Sequence, residues 1–167
     1  KIEKSNILET LSLKSKEFFV VSMHREENVD NIQILKKIVS ILNKLAKDYN
    51  LPVIVSTHPR TMNKLKANKK LNISKNILFL KPMGLFDYIN LQKNAFCVIS
   101  DSGTISEESA ILDFPAITLR NSMERPEALD AGSIILTGFN INIVISSIKI
   151  VIDQHQTNGI NKSVPNE

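Results

Sequence analysis

Residues 95–108 read Ala95-Phe-Cys-Val-Ile-Ser-Asp-Ser-Gly-Thr-Ile-Ser-Glu-Glu108. A nearly unbroken apolar run is followed by an acid, a hydroxyl and a glycine, and then by spacing that suits a helix. A run that is apolar on both faces belongs in a strand covered from both sides, as in a parallel sheet. Gly103 lets the backbone pass close to a neighbour or a ligand. The stretch therefore reads as strand (Ala95 to Ser100), tight turn, and helix (Ser102 to Leu112).

The same alternation continues on either side. Glu17 to Met23 (EFFVVSM) is a β-rich run. From Asn31 to Tyr49, Ile, Leu and Val return at three- and four-residue steps, which is an amphipathic helix, with Asp30 or Asn31 as its N-cap. Pro52 to Thr57 is a second strand, and a Lys-rich helix follows from Thr61 to Lys70. Asn76 to Leu80 is a third strand and Leu85 to Asn94 a helix. Beyond the quoted unit come a fifth strand (Pro115 to Leu119), a short helix (Pro126 to Asp130), a sixth strand (Ser133 to Thr137) and a last helix (Asn142 to Asp153). Short strands separated by helices predict right-handed βαβ crossovers. The fold class is α/β: a Rossmann-like parallel sheet of about six strands with helices on both faces. Residues 17–153 make this domain. Residues 1–16 carry helical spacing at Ile2, Leu8, Leu11 and Leu13 without a preceding strand, and read as an interdomain connection or an edge helix. The polar residues 154–167 read as a loose tail.

The chain has 167 residues, enough for one domain with one core. It is 43% hydrophobic but only 5% aromatic, without Trp, so its core is aliphatic. The net charge of +4 comes from lysines spread along the chain. The densest group, Lys64, Lys66, Lys69 and Lys70, has no aromatic residues between its members; it reads as a solvated helix face rather than a nucleic-acid site. A modest positive balance suits a small anion such as a nucleotide diphosphate. The single cysteine, Cys97, has no internal disulfide partner, and no metal-ligand spacing is present. It reads as a buried thiol in a reducing, cytoplasmic setting, and neither a metal nor a cofactor is expected. No signal peptide is visible, and no apolar run reaches the ~18 residues of a membrane helix. The chain begins at Lys1 rather than Met with a helical segment under way, which reads as a fragment, a processed product or an incomplete chain, the sequence alone not choosing between them.

Ligands of open parallel sheets bind beyond the carboxyl ends of the strands. The loops there are His24-Arg-Glu-Glu-Asn28, His58-Pro-Arg60, Asp101-Ser-Gly-Thr104 and Arg120 to Glu127. They hold two of the three histidines and most of the charge lying outside helix faces. In the third loop a helix begins beside Gly103, and its first N–H groups make a seat for a phosphate, with Ser102 and Thr104 hydroxyls beside it. The ordinary alternative is N-capping by Asp101 or Ser102. One turn on, Glu107 and Glu108 include a carboxylate able to accept from a ribose diol, the alternative being plain acidic placement in a first turn. Arg125 suits a phosphate, or else pairs with Glu124 or Glu127. His24 and His58, at adjacent strand ends, could act as general acids or as donors to a diphosphate.

Taken together and in order, His24-Arg-Glu-Glu-Asn28, His58-Pro-Arg60, Pro82 with Phe86-Asp-Tyr88, Asp101-Ser-Gly-Thr-Ile-Ser-Glu-Glu108 and Glu124-Arg-Pro-Glu-Ala128 resemble the non-hydrolysing UDP-N-acetylglucosamine 2-epimerases over about residues 17–138. The resemblance implies the C-terminal domain of a GT-B-type two-domain fold that binds a UDP-sugar. It implies that Ser102, Gly103 and Thr104 hold the diphosphate, that Glu108 takes the ribose hydroxyls, and that Arg125 contacts phosphate with Glu127 beside it. It lays Phe86 and Tyr88 against the uracil, and it lines the cleft with His24, Arg25, Asn28 and His58, the two histidines being the catalytic candidates. The family reaction eliminates UDP from C1 with loss of the C2 proton and adds it back with C2 inverted, using no cofactor. Important acids and bases come from an N-terminal domain that nothing here resembles, so this chain alone is expected to be inactive. A homodimer is the oligomer the resemblance suggests. Two departures stand out: Asp-Ser-Gly-Gly is here Asp101-Ser-Gly-Thr104, and His-Arg-Arg-Glu-Asn has Glu26 in place of its second Arg. They look more like the capsule-type subfamily, which converts UDP-2-acetamido-2,6-dideoxy-L-talose to UDP-N-acetyl-L-fucosamine. Other readings are half of a GT-B glycosyltransferase, or a non-catalytic UDP-binding fragment.

Overall fold

The structure is a computed structural model that describes residues 5–23, 28, 30–68, 71–120 and 134–158. In chain order the elements are α1 (Ile7–Thr10), β1 (Phe19–Met23), α2 (Ile32–Asp48), β2 (Val53–Thr57), α3 (Pro59–Ala67), β3 (Ile77–Leu80), α4 (Leu85–Asn94), β4 (Cys97–Ser100), α5 (Ile105–Leu112), β5 (Ala116–Thr118), β6 (Ile135–Leu136) and α6 (Ile141–Asn158). The six strands form one sheet in the order β3-β2-β1-β4-β5-β6, every pair parallel. Every residue of β1, β2, β4 and β5 is buried, as strands covered on both faces require.

Side chains alternate between the two faces. Phe19, Val21, Val55, Cys97, Ile99 and Ile117 point toward α2 and α6, where Ile38, Leu42, Leu45, Val144 and Ile148 meet them. Phe18, Val20, Ile54, Val98 and Ala116 point the other way, onto Leu91 of α4, Ile105 of α5 and the residues around α1. The layers are therefore helix, sheet, helix. At the amino edge of the sheet Phe19, Tyr49 and Phe96 form an aromatic trio, with ring centroids 5.2, 5.4 and 5.5 Å apart. Burial pushes the Cys97 thiol well above its ordinary value, so it stays protonated and inert.

The element boundaries differ from the sequence reading in ways that have local causes. The Lys-rich helix starts at Pro59 because His58 caps it and proline suits the first turn; it ends at Ala67, before Asn68, whose N–H returns to Lys64 and Leu65. Asn31, not Asp30, caps α2, accepting from Gln33 N and Ile34 N. Asp30 instead pairs with Arg60 and Lys64, and the Lys64 hydrogen bond leads the causes that lower its pKa. The last helix runs to Asn158, past the start of the expected loose tail at Gln154. There the Thr157 hydroxyl donates to Asp153 O and His155 lies against Asp113. The opening segment is a single turn, α1, docked on α4 with Ser5 Oγ donating to Asp87 Oδ1 at 2.6 Å. The expected short helix Pro126–Asp130 lies outside the described residues, as do residues 159–167. No helix among the described residues is long and apolar enough to cross a membrane.

Candidate functional site

Strand order reverses direction between β1 and β4, so the loops leaving their carboxyl ends part there and open a crevice. Two loops meet at it. Asn28, from the loop after β1, donates its side-chain amide to Asp101 Oδ2 at 3.0 Å. Asp101 N donates to Ser22 O, and the Asp101 side chain is fully buried. This link ties the loop of β1 to the loop of β4. Asn28, grouped with the ligand contacts by its motif, is buried and joined to Asp101, so at least one of its amide hydrogens serves the loop itself.

Just below the edge lies a rung of small hydroxyl residues. The register aligns Ser56, Ser22, Ser100 and Thr118 across four neighbouring strands. All four are buried on the α4/α5 face. Ser100 Oγ accepts from Ser102 N at 3.1 Å, which turns the chain sharply out of β4. Tyr88, from α4, hydrogen-bonds Ser22. Its phenol is pushed up to about 12, first by burial and then by the charges of Glu108 and Asp101, with the Ser22 bond opposing. Thr118 Oγ1 has no hydrogen-bond partner among the described residues.

The turn into α5 does not cap the helix. Thr104 occupies the N-cap position with φ −95° and ψ −1°, and its side chain makes no capping bond. Ser102 Oγ instead lies 2.9 Å from Thr104 Oγ1 and accepts from Thr104 N, while Thr104 Oγ1 donates to Glu108 Oε1 at 2.7 Å. This is why α5 begins at Ile105 rather than at Ser102. The first N–H groups of α5 point out of the sheet edge, with the dipole's positive end behind them. Among the described residues, a methyl added at Gly103 would meet only the Arg120 guanidinium, 3.7 Å away. No described neighbour thus demands a glycine there, and Gly103 is exposed.

Glu108 and Glu107 part company. Glu108 is half-buried and receives Gln92 Nε2 at 2.7 Å in addition to Thr104. Glu107 is exposed and receives the Ser106 hydroxyl. Phe86, in the first turn of α4, is 46% exposed beside the more exposed Leu85. His58 is exposed and its Nδ1 accepts from Arg60 N at 3.3 Å, so that nitrogen serves the helix and only Nε2 faces outward. His24, Arg25, Arg125 and Glu127 lie outside the described residues. Among the described residues no cluster of His, Cys, Asp and Glu could hold a metal. A separate groove of about 870 Å³ between α2 and the turn after β6, which takes in Lys36, Lys37 and Asn140, shares none of the site residues.

Two residues of this region were given no role by the sequence reading, although it placed Arg120 at the start of a carboxyl-edge loop. Arg120 is only 6% exposed, an arginine directly beyond a buried strand. That position, at the end of PAITLR, was itself a signal, because a charge is not buried there without a job. Gln92 is 1% exposed on α4, and nothing in its neighbourhood of sequence marks it.

The profile of the UDP-N-acetylglucosamine 2-epimerase family matches residues 1–166. A UDP-N-acetylglucosamine 2-epimerase of Methanococcus maripaludis is 36% identical over 146 residues, which cover 86% of this chain and 40% of the relative. A solved UDP-N-acetylglucosamine 2-epimerase of Rickettsia bellii superposes with a TM-score of 0.81 at 41% identity, over 94% of this chain and 41% of that one. The Methanocaldococcus jannaschii UDP-GlcNAc 2-epimerase, solved in complex with UDP-GlcNAc and UDP, superposes with a TM-score of 0.80 at 36% identity, over 91% of this chain and 43% of that one. This chain thus spans less than half the length of the relatives it matches. With nearly its whole length matched by the family profile, it belongs to the UDP-N-acetylglucosamine 2-epimerase family.

Proposed function

We propose that this chain is the nucleotide-binding half of a UDP-N-acetylglucosamine 2-epimerase and that it seats UDP at the mouth of α5. One observation carries the reading. At the topological switch point a helix opens without a side-chain cap at its N-cap residue, between a buried arginine and an anchored glutamate. Uncapped N–H groups and the helix dipole favour a diphosphate, Gly103 admits it closely, and Arg120 adds a cation behind. Ser102 and Thr104 hydroxyls, now bonded to each other, can turn to phosphate oxygens. Glu108 lies one turn further along for the ribose, with Phe86 and Tyr88 toward the base. Arg125 and Glu127 complete the phosphate side in this reading.

In the whole enzyme the sheet described here is one half of a GT-B-type pair. The C2 proton leaves to a base, the C1–O bond breaks, and UDP departs with the electron pair. Re-protonation of C2 on the other face and return of UDP give the epimer. This half contributes hold on the leaving group, which stabilises charge developing on the diphosphate; His24 and His58 are the candidates from this half for proton transfer, alongside acids and bases from the other half. The named relatives, UDP-N-acetylglucosamine 2-epimerases at 36% and 41% identity, favour that sugar over the capsule-type one. A cytoplasmic homodimer belongs to the same reading.

Titration calorimetry with UDP tests it. Saturable binding by this chain, weakened by Arg125→Ala, is the expected result; no heat, or an affinity that Arg125→Ala leaves unchanged, overturns the site. In a full-length protein carrying this half, solvent deuterium should enter C2 of UDP-N-acetylglucosamine. Turnover without that exchange would rule out the elimination chemistry.

A further inference from the structure

We infer that Gln92 is a positioning residue for ribose recognition: from within α4 it fixes the Glu108 carboxylate so that each oxygen keeps a lone pair open to a vicinal diol. The inference rests on the reading of Glu108 as the ribose acceptor. Gln92 is 1% exposed, and its Nε2 donates to Glu108 Oε2 at 2.7 Å. Thr104 Oγ1 donates to the other oxygen, Oε1, also at 2.7 Å. An ionised carboxylate has about four acceptor sites. The protein occupies one on each oxygen and leaves one on each, which matches two adjacent hydroxyls.

The arrangement differs from an ordinary first-turn glutamate. A free glutamate must give up rotamer freedom when it grips a ligand. Here that freedom is already gone, which is the general route to affinity by preorganisation. The hold is also one-sided. If Glu108 swung away, the buried Gln92 donor would lose its acceptor, which costs free energy. Thr104, which departs from the family's glycine at this position, closes the same chain of hydrogen bonds from the phosphate side, through Ser102. Ribose and diphosphate subsites are thus joined by side chains from two helices.

The test compares UDP with 2′-deoxyuridine diphosphate by calorimetry, in wild type, Gln92→Met, Glu108→Ala and the double variant. Wild type should prefer UDP. Gln92→Met keeps the side-chain length but removes the donor; it should weaken UDP about tenfold and leave the deoxy nucleotide within twofold, so the preference collapses. The double variant should be no weaker than Glu108→Ala, because the two residues act as a unit. If Gln92→Met does not fold, Gln92→Asn, one methylene short of Glu108, is read by the same ratio. Equal weakening of both nucleotides, additive losses or no change would each overturn the role of Gln92. A wild type that binds both nucleotides equally breaks the ribose reading of Glu108 itself, and the inference with it.

Discussion

Two strand-to-helix turns at the carboxyl edge of the sheet have similar patterns and opposite finishes. In the turn from β2 to α3, His58 caps the helix with its own side chain and Pro59 fills a first-turn position that needs no donor. The basic groups of Arg60 and Lys64 are paired with Asp30. In the turn from β4 to α5, the N-cap side chain makes no bond to a backbone N–H and instead donates to the Glu108 side chain one turn along the same helix. A buried arginine stands behind the glycine. In the first turn the side-chain acceptor serves an N–H of the helix itself; in the second the hydroxyls of Ser100 and Ser102 take Ser102 N and Thr104 N, which precede the helix, and the N-cap side chain gives no bond to the helix's first N–H groups. The comparison teaches that a strand–turn–helix at the right edge is not yet a ligand seat. What matters is whether the fold uses up the helix N-terminus itself.

The sharpest way to break this contrast is to remove the cation behind the open turn. Arg120→Met keeps the aliphatic bulk and deletes the charge. UDP affinity should fall about 100-fold, or ~2.8 kcal/mol, in the range of a lost charge-assisted contact. Uridine, which has no phosphate, should bind the variant as it binds wild type. Equal losses for the two ligands would show that Arg120 only supports the fold.

The second expected effect falls on stability. Asp101→Ala leaves the buried Asn28 amide without its carboxylate, so denaturant unfolding should show a loss of about 1–3 kcal/mol. A change under ~0.5 kcal/mol would mean that the β1 and β4 loops are not held together there.

Much of this was legible in the sequence, for identifiable reasons. Strands such as AFCVIS announce themselves by unbroken apolarity, and the helix from Leu85 to Asn94 by its length and punctuation, because local composition sets local structure. The carboxyl-edge rule then pointed at Asn28 and the Asp101 to Thr104 turn, which meet beside the crevice; the rest of the loop after β1 and the residues beyond Arg120 lie outside the described residues. The strand order was beyond local reading, since which strands pair depends on crossovers. The true start of α5 was hidden because Ser102 and Thr104 had two uses for their hydroxyls, and capping was the ordinary one. Gln92 was hidden more deeply. Its importance comes from facing Glu108, 16 residues away on another helix, and no spacing rule within α4 carries that information.

A third, smaller effect sharpens the open side of the contrast. In Gly103→Ala the new methyl meets the Arg120 guanidinium at 3.7 Å, an ordinary contact. Stability should change by less than ~1 kcal/mol. UDP affinity should nonetheless fall about tenfold, because the methyl stands where the diphosphate must approach the backbone. Unchanged affinity would move the diphosphate away from this turn.

The smallest effect is expected on the closed side. His58→Ala removes the side-chain acceptor that Arg60 N uses at 3.3 Å. Loss of an N-cap typically destabilises by about 0.5–2 kcal/mol, and the long bond places this one near the low end. His58→Asn should recover the loss, since asparagine is among the preferred capping residues and needs no imidazole. UDP affinity should stay within twofold of wild type in both variants, because His58 Nδ1 takes Arg60 N and Pro59 has no N–H to offer a phosphate. If His58→Asn restores stability but UDP binding falls, the outward Nε2 of His58 reaches the ligand. The two turns would then form one site with two walls, rather than one open seat beside a closed one.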